Sequence, residues 1–193
     1  MANRRLPAER TVIERFRVIP AAYVVILRDG PDGSVEVLLQ LRTGTGYMDD
    51  HWACAAAGHV ERGESVVQAA AREAWDELGI GVDAADLTPL CGMHRTAGDG
   101  NDINERSDFF FTLHRWTGEA RIREQDKTAD LRWFPLSALP DPVVPHEVVV
   151  LEALRAGVMP AFFAVGFDEP TPVADPGAGW ARRSPGTSGN QRG

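Results

Sequence analysis

The sequence predicts an α/β fold in which a mixed sheet lies between two helices, and three observations carry that expectation. Runs rich in Val, Ile and Leu alternate with turn-forming clusters, and one segment combines the caps and the periodicity of an amphipathic helix. The third is the succession Phe109, Phe110 and Phe111 within one apolar run. Side chains alternate along a strand, so this run presents aromatic rings to both faces and needs cover on two sides. Helices on both faces supply it.

Residues 15–28 and 35–42 read as two strands of a hairpin, separated by Asp29-Gly30-Pro31-Asp32-Gly33. A short apolar run, 52–57, leads into a loop bracketed by Gly58 and Gly63. Ser65 followed three residues later by Gln68 forms a capping box, and Gly79 stands where a left-handed stop is expected, so a helix lies between them. Residues 82–86 are a connector. Runs 87–95 and 107–116 are further strands around a polar loop, and 131–135 is another short strand. Residues 145–156, with Pro145 at the start and Gly157 after the end, make the second helix.

A chain of 193 residues, 44% hydrophobic and 25% charged, is long enough for one domain with a sizeable core. That domain is placed at 15–167, after an N-terminal extension, 1–14, and before a tail, 168–193, rich in Pro and Gly. The tail has too few apolar residues to offset its ordering entropy and is expected to be flexible. The net charge of −8 argues against a nucleic-acid or anionic-membrane surface, since both need excess Lys and Arg. Arginines precede the apolar stretch near residue 20, but Arg15 and Arg17 crowd it, no small-residue cleavage site follows, and it is too short to span a bilayer. The expectation is a cytoplasmic protein without membrane association. Cys54 and Cys91 have neither zinc spacing nor the number of a disulfide scaffold, so both read as buried free thiols. The histidines show no His-x-x-x-His spacing, and only His59, in the glycine loop, stands near the chemistry.

On the first helix, Glu73, Asp76 and Glu77 project from one face beside Arg72, while Val67, Ala70, Ala71, Ala74 and Leu78 lie on the adjoining face. Three like charges this close repel unless something offsets them, and a hard divalent cation with oxygen ligands does so. A solvated face paired with arginines is the plainer alternative.

The segment resembles the Nudix box: Gly, five residues, Glu, seven residues, then Arg-Glu-hydrophobic-x-Glu-Glu-x-Gly-hydrophobic. Gly58, Glu64, Arg72, Glu73, Ala74, Glu77, Gly79 and Ile80 match in register, and Asp76 stands where the family has the first Glu of the pair. The resemblance implies a Nudix-type α/β/α sandwich with a mixed central sheet, and a Mg²⁺-dependent (or Mn²⁺-dependent) pyrophosphohydrolase closest in appearance to MutT-like members. Its substrate is then a nucleoside triphosphate or a related nucleotide. An ADP-ribose or nucleotide-sugar pyrophosphatase and a non-hydrolysing nucleotide sensor are the alternatives, and a homodimer is an expectation by analogy alone.

On this resemblance Glu73, Asp76 and Glu77 are metal ligands, Glu73 and Glu77 serve catalysis, and Arg72 orients the acids. Gly58 lets main-chain groups approach metal and phosphate. Glu105 supplies a further ligand or base, and Arg42 contacts phosphate; a strand-end surface group is the alternative reading of each. Residues 124–136, with Lys127 and Trp133-Phe134, suggest a wall beside the nucleobase, with Trp133 facing it. Glu64 lies far around the helix from Glu73, so its expected role is to brace the loop.

Overall fold

The computed structural model describes residues 15–167, so the proposed N-terminal extension and C-terminal tail lie outside the described residues. Strands β1 (Ile19–Asp29), β2 (Val35–Arg42), β3 (Trp52–Cys54) and β4 (Ala56–His59) precede helix α1 (Val66–Leu78). After it come β5 (Leu87–Arg95), β6 (Arg106–Leu113), β7 (Thr128–Pro135), helix α2 (Pro145–Ala156) and β8 (Phe162–Val165). The strands form one eight-stranded sheet in the order β3-β2-β1-β6-β5-β8, with β4 added to β1 and β7 to β2. The sheet is mixed, because β1 runs parallel to β6 and β5 parallel to β8 while the other pairs are antiparallel.

Strand β1 organises the molecule. Along one edge it pairs with β6, residues 19–26 against 106–113, but its other edge is shared: residues 21–24 bind β4, and Leu27, Arg28 and Asp29 bind β2. The two partners therefore separate where β1 passes from one to the other. Residues of both partners line the cavity described below.

The alternation of β1 divides the core into two layers. Tyr23, Val25 and Leu27 pack with Phe110, Met93, Phe163 and the α2 residues Val150 and Leu151. Ala22, Val24 and Ile26 pack on the other side with Phe111, Leu113 and the α1 residues Ala69, Ala70, Ala74 and Leu78. Phe110 and Phe111 thus point to opposite faces, as the aromatic run required, and the architecture is an α/β/α sandwich.

The expected run 52–57 is broken at Ala55 into β3 and β4, which join different neighbours. Strand β1 begins four residues later than 15–28 predicts, β6 ends at Leu113 rather than Trp116, and β7 starts at Thr128 rather than Leu131. Strand β8 was not anticipated. Its four residues are too few for a periodicity signal, and its pairing with β5 is a tertiary fact.

Candidate active site

Helix α1 is set in place by its own ends. The Ser65 hydroxyl accepts from the Gln68 amide at 3.2 Å, the Gln68 side chain accepts from the Ser65 amide at 2.8 Å, and Gly79 closes the helix at φ 72°. Three of its four buried residues are alanines, which bury little apolar surface but let the helix backbone approach the sheet closely. The Glu77 carboxylate uses that approach to accept from the Ala57 amide of β4 at 2.9 Å. At the neighbouring position, a Cβ on Gly58 would overlap the Glu73 carboxylate. Glycine at 58 is therefore a steric requirement of where Glu73 sits.

Arg72 ties this helix to the loop before it. Its guanidinium donates to both Glu64 carboxylate oxygens at 3.1 and 2.7 Å, to Glu73 at 2.7 Å and to the His59 carbonyl at 3.0 Å, with Asp76 3.7 Å away. Glu64 also accepts from the Glu61 amide at 2.6 Å, so it braces the loop as its place on the helix predicted. The Arg72 hydrogen bonds hold the Glu64 carboxyl below its ordinary range.

Glu73, Asp76 and Glu77 line one end of a cavity of about 770 Å³, joined there by Glu124 and Lys127. Burial pushes the Glu77 carboxyl up to about 8 against the Ala57 hydrogen bond, and the charges of Glu73 and Glu124 push it the same way. Glu73 is raised chiefly by burial, with Arg72 opposing. Asp76 is the outermost, its side chain 49% exposed. Among the described residues, no three His, Cys, Asp or Glu groups already converge as a metal cluster. The donor set nonetheless suits a hard cation: it is all oxygen, and its members suffer from each other's charge in a way a divalent ion relieves.

A second, basic group on the cavity wall comprises Tyr23, His59, Arg95, Arg106, His146 and Glu147. Arg95 donates to Asp108 at 2.6 Å and to the Tyr23 hydroxyl at 3.4 Å, and that hydroxyl lies 3.2 Å from His146 Nε2. Burial, then the charges of Arg95 and Arg106, drive His146 down to about 3. It is neutral and shares a hydrogen bond with the tyrosine. Arg106 donates to His59 Nε2, and burial followed by the charge of Arg106 keeps that ring neutral too. Glu147 accepts from the Cys54 amide at 2.5 Å and is pushed up to about 7, mainly by burial.

The NUDIX domain family model matches residues 18–154. The chain belongs to the Nudix family. It is accordingly a Nudix pyrophosphohydrolase, of a class that hydrolyses nucleoside diphosphate derivatives in general and uses divalent metal ions. It is similar to a MutT NUDIX hydrolase from Burkholderia pseudomallei, at 29% identity and TM-score 0.61 over 70% of this chain and 97% of that one. It also resembles the NUDIX domain of Shewanella oneidensis NrtR in complex with ADP ribose (17% identity, TM-score 0.61, 79% and 96% covered). A further likeness is to a Caenorhabditis elegans Ap4A hydrolase in a binary complex (22%, TM-score 0.51, 71% and 96%). No curated protein matches by sequence. Among the described residues no helix is long and apolar enough to cross a membrane.

Of the Nudix box residues, Gly58, Arg72, Glu73, Asp76 and Glu77 line the cavity, together with Arg42, but two expected site residues lie elsewhere. Glu105 is not on the cavity wall; its carboxylate accepts from the Thr96 hydroxyl at 2.7 Å. Trp133 is also absent from the wall, because its ring stacks on Trp116 at 6.1 Å and lies under the Arg28 guanidinium at 4.1 Å, among the core residues on the α1 face. Arg42 does line the cavity, but it donates to the Tyr47 carbonyl and the Thr45 hydroxyl, both at 3.0 Å, and so fixes its own loop. The acid that joins the trio is Glu124, held by Lys127 at 3.0 Å. Its only signal in the sequence is the likeness of 124–136 to MutT-like chains. What brings it to the site is the β2–β7 pairing, which sets Lys127 beside Thr43.

Proposed function

We propose that the protein hydrolyses a diphosphate bond in a nucleoside triphosphate or a related nucleoside diphosphate derivative, with Mg²⁺ as its ion and Mn²⁺ as a substitute. The observation that carries the reading is the gathering of Glu73, Asp76, Glu77 and Glu124 at one end of a cavity large enough for a nucleotide. When bound, the ion neutralises phosphate oxygens and acidifies a water. Glu73, Asp76 and Glu77 hold it, and Glu124 adds a fourth oxygen donor.

The protein groups have distinct tasks in this reading. Glu77 is anchored by the Ala57 amide, so its carboxylate keeps one orientation. Arg72 positions Glu73 and Glu64 without reaching for substrate, since its bonds already go to the loop and the helix. Asp76, shorter than Glu and half exposed, is free to turn inward. Lys127 places a positive charge on the same wall, where it meets phosphate oxygens. ADP-ribose or another nucleotide joined to a second group is the second reading, favoured by a cavity that continues past the acids to Arg95 and Arg106.

The test incubates the purified chain and Mg²⁺ or Mn²⁺ with nucleoside triphosphates, dinucleoside polyphosphates, ADP-ribose and nucleotide sugars. Inorganic phosphate is measured with and without added phosphatase. Metal-dependent release of two phosphate-bearing products is expected for at least one class. Binding without turnover of any of them overturns the hydrolytic reading in favour of a nucleotide sensor.

A further inference from the structure

We propose that the part of the cavity lined by Arg95 and Arg106 is an oxyanion subsite, taking a phosphate or carboxylate carried by the group linked to the diphosphate. The proposal rests on reading the cavity as the substrate site, and it names the class of substrate that the site selects.

The argument begins with charge. Although the chain carries a net charge of −8, two guanidiniums face this end of the cavity. One carboxylate, that of the fully buried Asp108, stands with them. Arg95 takes it in a hydrogen bond of 2.6 Å. Arg106 does not: its Nε lies 3.8 Å from the other Asp108 oxygen, and both atoms are buried without a hydrogen-bond partner. Arg106 is only 8% exposed. That Nε faces Asp108, but the guanidinium as a whole lines the cavity, and a buried charge this incompletely paired costs several kcal/mol that an anion placed beside it offsets.

No other group at this end cancels the charge. The two histidines are neutral, as described above. The Tyr23 hydroxyl keeps its proton, because burial raises it first and the Asp108 and Glu147 carboxylates next. Glu147 is bonded to the Cys54 amide and, lifted by burial, carries at most a partial charge near neutrality. The start of α2 adds to the positive side. Val144 gives it no side-chain cap, and Val144 and His146 both line the cavity, so the positive end of the helix dipole faces the same space.

A neutral nucleobase edge can accept hydrogen bonds from a guanidinium, yet it leaves the surplus charge buried. An oxyanion satisfies the donors and removes the charge together, and the planar fork of arginine suits phosphate and carboxylate alike. The cavity is therefore polarised. A diphosphate with its cation belongs at the acidic end and a second acidic group at the basic end, which fixes the direction in which a long substrate lies.

The experiment uses matched pairs that differ by one acidic group: NAD⁺ against NADP⁺ for a phosphate, and UDP-glucose against UDP-glucuronate for a carboxylate. Affinities are measured by titration calorimetry on the full chain in EDTA, where the metal-dependent end contributes no attraction. The acidic member of at least one pair is expected to bind about 10-fold tighter, and the pair that responds identifies the source of the oxyanion. Arg106→Gln collapses that ratio toward one. Because Gln at 106 takes a partner from Asp108 and threatens the fold, Arg106→Lys is the companion variant: it keeps the charge, loses the fork, and gives a reduced ratio still above one. Equal affinities in both pairs, including no measurable binding of any member, overturn the subsite. A preference in binding with no hydrolysis of any diphosphate in Mg²⁺ overturns the hydrolytic reading and keeps the subsite, while hydrolysis with equal affinities does the reverse.

Discussion

The acidic end of the cavity is built almost entirely from one continuous stretch, the loop and helix from Gly58 to Ile80, whereas the basic end is assembled from β1, β4, β5, β6 and α2. The difference shows in how each end manages its charge. At the acidic end Arg72 distributes one guanidinium over Glu64, Glu73 and Asp76 and Lys127 pairs with Glu124, which leaves the buried Glu77 carboxyl to bear the charges of Glu73 and Glu124. At the basic end the groups are already chained through Arg95, Tyr23 and His146, and what remains is a surplus on Arg106. A locally encoded end suits chemistry shared across a family. An end assembled from distant strands is free to differ from member to member and suits selection among substrates.

The sharpest test of that division is Glu77→Gln. Loss of this buried carboxylate, a proposed metal ligand, is expected to lower kcat on the order of 10³-fold, with KM little changed. The fold is retained, because the amide oxygen still accepts from Ala57 and a poorly solvated charge has gone. Steady-state kinetics beside a thermal melt checks both halves. At the basic end, Arg106→Gln acts instead on binding and selectivity. A kcat loss there as large as that of Glu77→Gln would break the comparison, since it would put chemistry at both ends.

Gly58→Ala comes next in size and tests why the acidic end is so compact. The new methyl collides with the Glu73 carboxylate, so either the helix or the side chain must retreat. Overpacking of this kind costs about 1–3 kcal/mol of stability. A displaced ligand is expected to lower kcat/KM roughly 10- to 100-fold. Denaturant unfolding and kinetics on the same variant separate the two effects. Unchanged activity would mean that Glu73 has room the structure does not give it.

The same contrast explains which parts of the molecule were legible in the sequence. Helix α1 was readable end to end, because Ser65, Gln68 and Gly79 act within a few residues of where they stand. The mixed sheet between two helices followed from local patterns as well, and Phe110 and Phe111 face the two layers that such a strand demanded. What failed depended on pairing across long separations. Ala55 divides an apolar run because β3 joins β2 while β4 joins β1, and nothing within the run announces that choice. Glu105 and Trp133 are assigned by resemblance to MutT-like members, and the structure sets neither on the cavity wall. A one-residue step along a strand decides which way a side chain points, and Thr96 and Trp116 took the two groups away from the cavity. Arg95, Arg106 and His146 meet at one place only because β5, β6 and the start of α2 do.

Glu147 gives a pH test of the basic end. Its carboxyl, ordinarily near 4.5, stands at about 7 in the folded protein, so the folded chain holds a proton there that the unfolded chain has lost. The stability this confers is present below about pH 4.5 and disappears as pH rises through 7. Glu147→Gln does not titrate, and Glu77 is common to both proteins, so their difference isolates this group. Between pH 5 and 8 the variant is expected to gain on the parent by up to about 3 kcal/mol, measured by urea unfolding at each pH. A drift in the opposite direction would mean that Glu147 is fully charged in the fold. The positive surplus around Arg106 would then be smaller than its neighbours imply.

Asp76→Glu carries the smallest expected effect and asks how far the acidic end departs from its relatives. Asp76 occupies the position where the box has Glu, and its side chain is half in solvent, 3.7 Å from Arg72. A half-exposed side chain has room for one more methylene, so activity with Mg²⁺ is expected to stay level or to rise by about threefold at most, under 1 kcal/mol in the barrier. The informative comparison is Mg²⁺ against Mn²⁺ in parent and variant. Mg²⁺ demands near-ideal octahedral geometry and short bonds, so a ligand that reaches too little penalises it most. If the shorter acid limits the site, Asp76→Glu narrows the gap between the two ions. If activity instead falls by an order of magnitude, the neighbouring carboxylates have been arranged around an aspartate, and the departure from the family pattern is itself part of how this cavity holds its ion.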